Sequence, residues 1–455
     1  MFVGREKELR LIQEFLEKPG AMALYGKRRV GKTALVKQAF ALAKKPFFYY
    51  QCVKDTYQNN VAMLVAELVR NNIVPEMFSA DSLSSVFYFL SLQKKHFDIV
   101  IDEYTYLFKY TAREIVDSDL QKAIDNYSSD INLILTGSEL TAMNGLLEQG
   151  NPLFGRLRLR MHLSELTYRE AALFYPDKTP YEKVGFYAVF GGSPYVNGFL
   201  DPDLDLESNI KKLFLNTSSS VFDYASELLF TSVSDSYSVQ QILSILRNGK
   251  KRVNEIENAL GATKNGLINK KLKALIGMEI IDKVCPINRE GDDKKTRYEI
   301  ADNCVRFFHT FLYPNLSALS SSSQDAFYSA FLESGGRLRE YISHCFERIA
   351  RDYFRLLSLE GKRNDILRVG TYYYDDASRK RNGEFDVAMQ KTNGKYAIAE
   401  VKYYAPDHLF SILEMEKESQ QIKGIPDLQV DEILFVATYA ETTPAHHVIL
   451  AEDFY

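Results

Sequence analysis

Eight consecutive residues carry the most specific chemistry in the chain. Gly26, Lys27, Arg28, Arg29, Val30, Gly31, Lys32 and Thr33 fit the pattern GxxxxGK[ST]. Glycines at these positions let backbone N–H groups close around phosphates, and a helix N-terminus adds the positive end of its dipole. An apolar run precedes the loop and a helical pattern follows it, which is the context such a loop needs. The pattern reads as a nucleoside-triphosphate site with ATP as its ligand. Lys32 is expected to reach the β and γ phosphates, and the Thr33 hydroxyl to ligate Mg²⁺. Further on, Phe97-Asp98-Ile99-Val100-Ile101-Asp102-Glu103 is an apolar strand ending in two acids. Strand ends line the ligand crevice of open α/β sheets, so Asp102 is expected on the metal and Glu103 behind the attacking water. The run Leu133-Ile134-Leu135 ends in Thr136-Gly137-Ser138. Ser138 is placed either to touch the γ phosphate or attacking water, or simply to close a strand.

A second constellation lies near the other end. Glu384-Phe385-Asp386 and Tyr396-Ala397-Ile398-Ala399-Glu400-Val401-Lys402 flank the turn KTNGK and read as a hairpin. Glu400 and Lys402 are two apart on one strand and so share a face, with Asp386 on the partner strand. Two carboxylates and a lysine converging on a strand end can bind a divalent metal and position a water for attack on a phosphodiester. Oxygen ligands suit Mg²⁺ or Mn²⁺ better than zinc.

The elements that must position these groups follow from periodicity. Between about residues 20 and 140, short apolar strands alternate with helical patterns: Ala21–Tyr25, Phe47–Gln51, Asp98–Ile101 and Leu133–Leu135 as strands, Lys32–Ala43 and Val61–Val69 as helices. Continuous apolar strands separated by helices imply a doubly wound parallel sheet buried on both faces. Residues 1–160 are therefore expected to form a P-loop core, 161–235 a helical lid and 236–318 a winged helix, with 325–455 a further α/β domain. The winged helix rests on Val253–Leu260, a break at Gly261, a helix over Thr263–Leu275, and two strands around the charged turn REGDDKK. Residues 241–300 hold 13 Lys/Arg against 8 Asp/Glu, with Lys264, Lys270, Lys271 and Lys273 on or near the second helix. That is where a DNA-reading helix would carry its charge, although a winged helix used only for packing fits equally well. The serines at 320–323 read as a linker, and a helical stretch and then strands are expected beyond them.

Bulk properties narrow the classes. A chain of 455 residues exceeds one compact core. Its net charge of -4 sets up no general attraction to nucleic acid or membrane, so such contacts need a local patch. Cys52, Cys285, Cys304 and Cys345 lie at no zinc-binding spacing and read as buried apolar residues of a reducing compartment. The opening MFVGREKEL lacks the apolar core of a signal peptide, and no apolar run approaches the roughly eighteen residues of a membrane span. A cytoplasmic protein is expected, with no membrane partner.

Several of these motifs together resemble an ATPase family known mainly from archaea, a branch of the AAA+-like signal-transducing STAND ATPases. The resemblance covers about Met1 to Leu200 and rests on FVGREKEL, YGKRRVGKT, IVIDEY, LTGS, NPLFGR and GGSPYV. It implies that FVGRE and Pro194 lie near the nucleotide base. It also implies that Arg156 senses the γ phosphate, a surface salt bridge being the plainer role for that arginine. From about Tyr341 to Ala440 the chain resembles the PD-(D/E)xK nuclease superfamily, with Asp386, Glu400 and Lys402 matching D…ExK and Glu347 matching a helical acid that shares the metal. Phe385 stands where the literal proline would be. Together the resemblances imply an ATP-hydrolysing switch coupled through a winged helix to a metal-dependent nuclease-like effector. The alternative is an ATP-regulated DNA-binding or protein-docking protein whose nuclease fold is inactive. Nucleic acid and a second copy of the chain are the candidate partners beyond ATP.

Overall fold

The computed structural model describes all residues except Met1, 228–235, 262–265 and 377–380. The chain divides into two compact units, one of Met1–Leu166 with Ser193–Tyr195, the other of Thr167–Gly192 with Val196–Tyr455.

The first unit is built on five parallel strands: β1 (Gly20–Tyr25), β2 (Phe48–Gln51), β3 (Phe97–Asp102), β4 (Ile131–Gly137) and β5 (Leu157–His162), in the spatial order β2-β3-β4-β1-β5. The side-chain period of two sorts each central strand into two cores. Ala21 and Ala23 of β1, Ile99 and Ile101 of β3, and Leu133 and Leu135 of β4 face one core. Met22, Leu24, Val100 and Ile134 face the other, with Leu35, Val36 and Phe40 of the helix Lys32–Ala43. Both faces are thus covered, which is why these strands read as unbroken apolar runs. The edge strand β5 was not expected. It alternates Leu157 and Met161, both buried, with outward Arg158 and Arg160. Charged side chains are a common guard on a sheet edge, and they mask the strand pattern.

In the second unit, helices Ser236–Leu246, Val253–Ala259 and Leu267–Gly277 share one apolar core with the antiparallel pair β6 (Ile281–Val284) and β7 (Arg297–Ile300). Thr263 and Lys264 lie outside the described residues, and the second helix of the expected pair begins at Leu267 rather than Thr263. The serine run is not a plain linker. Ser320 and Ser321 finish the helix Leu316–Ser321, and the Ser323 side chain accepts from the Ala326 N–H to cap Gln324–Tyr328. The helix Arg337–Leu359 then packs against a mixed sheet of β8 (Ile366–Asp376), β9 (Arg381–Lys391), β10 (Tyr396–Lys402), β11 (Val430–Ala437) and β12 (His447–Leu450), which lie side by side in reverse order of sequence. β8, β9 and β10 run antiparallel in turn, whereas β10, β11 and β12 are parallel; the crossover from β10 to β11 carries the helix Ile412–Lys423. Among the described residues no helix is long and apolar enough to cross a membrane.

Candidate functional site

β1 ends at Tyr25 and the chain turns through Gly26 to Gly31 into the helix Lys32–Ala43. Gly26 is obligatory here, since a Cβ would meet the Leu163 carbonyl oxygen at 2.2 Å. Gly31 has φ +99°, a conformation that side chains resist. Lys32 is buried and its ammonium donates to the carbonyls of Gly26 and Lys27, both at 2.9 Å. Burial lowers its pKa, and the nearby carboxylates of Glu103 and Asp102 pull the other way. A buried ammonium held only by two neutral carbonyls is ready to exchange them for phosphate oxygens.

Asp102, at the end of β3, is a hub. Its Oδ2 accepts from the Thr33 hydroxyl at 3.3 Å and from the Tyr49 hydroxyl. Its Oδ1 accepts from the Glu103 N–H at 3.0 Å and from the Thr136 hydroxyl. Burial and this bond to Asp102 hold the Tyr49 phenol well above its usual range, so it stays a donor. Glu103 adopts φ +52° and its carboxylate receives the Ser138 hydroxyl, which lies 2.8 Å from both oxygens. Ser138 is therefore turned to Glu103. The donor set fits Mg²⁺-ATP: a hydroxyl, a carboxylate beside it, a lysine and a glycine-bounded loop stand at one end of the sheet. Tyr49 and Thr136 were not singled out from sequence. Each comes from a different strand, and only the order β2-β3-β4 brings both to Asp102.

The rest of the loop is braced. Lys27 lies 3.5 Å from Glu165, Arg28 donates to the Tyr106 hydroxyl at 2.7 Å, and the Arg29 guanidinium stands 4.2 Å over the Tyr195 ring. Val30 is buried, its carbonyl accepting from Arg5. Pro194 touches the loop, its Cγ 3.7 Å from where a Cβ on Gly31 would stand. Arg156 is elsewhere. It precedes β5, whose Leu157 pairs with Ala21 at the start of β1, whereas the loop follows Tyr25, paired with His162. At ~3.3 Å per residue the separation is on the order of 20 Å. Arg156 instead holds Asp125, with Nε 2.8 and 3.0 Å from the two oxygens, so it does not face the loop of its own chain.

In the second unit the β9–β10 register pairs Val387 with Ala399, which places Asp386 opposite Glu400 one step further on. Burial is the main cause that raises the Asp386 pKa, and the charge of Glu347, on the helix Arg337–Leu359, adds to it. Burial likewise raises Glu400. Each acid is already met by a lysine. Lys402 Nζ is 2.6 Å from Glu400, and Lys250 Nζ is 2.8 Å from Glu384 and 3.4 Å from Asp386. Among the described residues no three His, Cys, Asp or Glu side chains form a group that could hold a metal ion. The expected ligand set Glu347, Asp386 and Glu400 is thus near one place but not assembled, with Lys250 bound to Asp386.

Comparison with known proteins supports the first unit most directly. Residues 2–196 match the model of an ATPase domain found predominantly in Archaea, and residues 308–421 match a model of archaeal and bacterial proteins of unknown function. An uncharacterized protein of Methanocaldococcus jannaschii is 27% identical over 417 residues, which cover 89% of this chain and 88% of that one. The Walker-type ATPase of Pyrococcus abyssi superposes with a TM-score of 0.52 at 21% identity, over 68% of this chain and 96% of that chain. The ORC2 protein of Aeropyrum pernix, solved as ADPNP–ADP complexes, gives 0.46 at 14% identity, over 70% and 95%.

Proposed function

We propose that this chain, whose residues 2–196 form an ATPase domain of archaeal P-loop type, is a nucleotide-driven switch of the AAA+/STAND kind that binds and hydrolyses ATP. The observation that carries the reading is the convergence of Lys32, Thr33, Asp102 and Glu103 at one end of the parallel sheet. Lys32 holds the β and γ phosphates. Thr33 and Asp102 hold Mg²⁺, which neutralises phosphate charge when bound. Asp102 is oriented for that task by Tyr49 and Thr136, and Glu103 orients the attacking water once Ser138 yields it. Pro194 and Arg5 brace the loop. Calorimetric titration tests the assignment: ATP binds the wild-type chain, and Lys32→Ala loses tight binding because the phosphates lose their lysine. Unchanged affinity in that variant would remove the assignment.

The effector half of the reading is a winged helix over residues 236–318, carrying the nucleotide state to a nuclease-like sheet with Asp386, Glu400 and Lys402 at its site. The three helices around one core with β6 and β7 support the first part. The D…ExK pairing across β9 and β10 supports the second. A second reading, an inactive nuclease fold that clamps nucleic acid or docks a protein, is favoured by Lys250 and Lys402 standing on the acids. Mn²⁺ or Mg²⁺-dependent cleavage of DNA or RNA that Asp386→Ala abolishes selects the first. Salt-dependent DNA binding without cleavage selects the second.

A further inference from the structure

The second unit contains a cavity of about 910 Å³, within the range typical of ligand sites. Its walls come from several elements. The turn after the helix Ser236–Leu246 brings Arg247 and Lys250, residues 306–315 bring Arg306, the helix Arg337–Leu359 brings Arg337, Arg348 and Arg351, and β7 and the middle of β9 close it.

Most of these cations are committed. Arg348 donates to the carbonyls of Ile300 and Ala301 at 3.1 and 2.9 Å, and Arg351 to the Asp386 carbonyl at 2.7 Å. Arg306 donates to the Ile300 carbonyl and faces Glu299 at 3.6 Å. Arg247 and Arg337 differ. Both line the cavity, and among the described residues neither side chain has a hydrogen bond or an acidic partner. Arg337 is exposed and Arg247 half-buried, so both heads are accessible.

The cavity carries a positive field at its β7 wall. Burial alone would lift the Glu299 carboxyl, yet the charges of Arg348, Arg306, Arg351 and Lys250 hold it at about 2. Seven lysines and arginines line the cavity against five carboxylates, so the positive surplus is what the two arginines without partners, Arg247 and Arg337, supply. Planar guanidinium forks suit the paired oxygens of phosphate, and several forks facing one space suit a ligand with more than one phosphate oxygen pair.

We propose that this cavity binds a phosphate-bearing ligand through Arg247 and Arg337. The shared chemistry is a phosphate ester or anhydride, carried by a free nucleotide-like molecule or by the end of a nucleic-acid strand. The site lies in the second unit and is separate from the P-loop. Glu347 and Asp386 also line this cavity, and the binding proposed requires neither hydrolysis of ATP nor a metal at Asp386.

The experiment uses the full chain in a Lys32→Ala background, so that the P-loop contributes nothing to the titration. Two probes are titrated: inorganic pyrophosphate and a 5′-phosphorylated single-stranded DNA tetranucleotide. At least one is expected to bind, more weakly as salt rises. Arg247→Ala combined with Arg337→Ala is expected to weaken it at least tenfold. Because Arg337 is exposed, Arg337→Ala alone supplies a variant whose folding is not at risk, with an expected loss of at least threefold. Arg355→Ala, an arginine of the same helix that does not line the cavity, is expected to change nothing. Equal affinity for both probes assigns a free phosphate ligand, and a tenfold preference for the tetranucleotide assigns a strand end. Absence of binding by either probe, or equal losses in Arg355→Ala and Arg337→Ala, overturns the proposal. Failure of Lys32→Ala to alter ATP affinity would instead count against the P-loop reading alone.

Discussion

A single side chain, Glu103, concentrates what is special about the nucleotide site. Its backbone sits at φ +52°, which costs a non-glycine residue of order 1 kcal/mol or more. Its N–H is tied to the carboxylate of its neighbour Asp102, and its own carboxylate is tied to Ser138. This geometry separates two jobs that adjacent acids could otherwise share, since Asp102 is consumed by Thr33, Tyr49 and Thr136 while Glu103 points at a hydroxyl that can release it. Glu103→Gln is therefore expected to keep ATP binding and to slow turnover by about a hundredfold, the scale of losing a general base. Single-turnover hydrolysis with the variant in excess over ATP measures it; a wild-type rate would show that Glu103 is not the base. The pair of acids was legible because an apolar strand ending in Asp-Glu after a P-loop has few other uses. Tyr49 and Thr136 were not legible, because a hydroxyl on one strand says nothing of its neighbour until strand order is known.

Elements were legible where burial made their pattern uniform, and obscure where two demands met in one segment. β1, β3 and β4 bury both faces and announce themselves. β5 must be a strand and a sheet edge at once, and its arginines hid it. The helix Ile412–Lys423 is polar over most of its length, so its crossover was not foreseen. The turn Gly249–Lys251 belongs with these. Gly249 takes φ +97°, and Lys251 exchanges backbone hydrogen bonds with Tyr298 of β7 at 3.0 and 2.7 Å, so Lys250 is presented by a pinned loop to Glu384 and Asp386. The Lys250 ammonium supplies a positive charge beside Asp386. Lys250→Ala is expected to raise Mn²⁺ affinity at least about tenfold in the full chain with Lys32→Ala present, because Glu347 and Asp386 then repel with only Arg351 left to relieve them. Calorimetry that shows no gain would make Lys250 a packing contact. β7 offers a second test at this scale. Glu299 is held at about 2, below the unfolded carboxylate value of ~4.3. A depressed folded pKa means stability that is present above the unfolded value and lost as pH falls toward 2, about 3 kcal/mol in full by ~1.4 kcal/mol per pH unit. Chemical denaturation between pH 6 and about 3 is expected to show a falling stability that Glu299→Gln flattens, at a lower starting value.

For the whole molecule the unresolved demand is Arg156. Its guanidinium is at the far end of the sheet from its own P-loop, paired with Asp125, both about one-third exposed. Such a surface pair contributes only ~0–1 kcal/mol, so Asp125 is easily exchanged for a stronger anion. A γ phosphate is such an anion, yet the rigid sheet keeps it on the order of 20 Å away within one chain. If Arg156 senses phosphate, it reads the site of another copy, and the working form is then an oligomer in which β5 and the loop before it face a neighbouring P-loop. The consequence is complementation. Arg156→Ala copies keep an intact P-loop but lack the sensing charge, and Lys32→Ala copies keep the arginine but bind no ATP. Each alone is expected to hydrolyse ATP at least about tenfold more slowly than wild type, in line with loss of a charge that stabilises the transition state. Mixed in equal amounts, they are expected to recover activity, because some neighbours pair an intact loop with an intact arginine. The recovery should rise with total protein concentration as copies associate. Steady-state turnover of the mixture against each variant alone reads the outcome. A mixture no faster than the sum of its parts, or Arg156→Ala alone at the wild-type rate, would return Arg156 to its pairing with Asp125 and leave the switch to be worked within one chain.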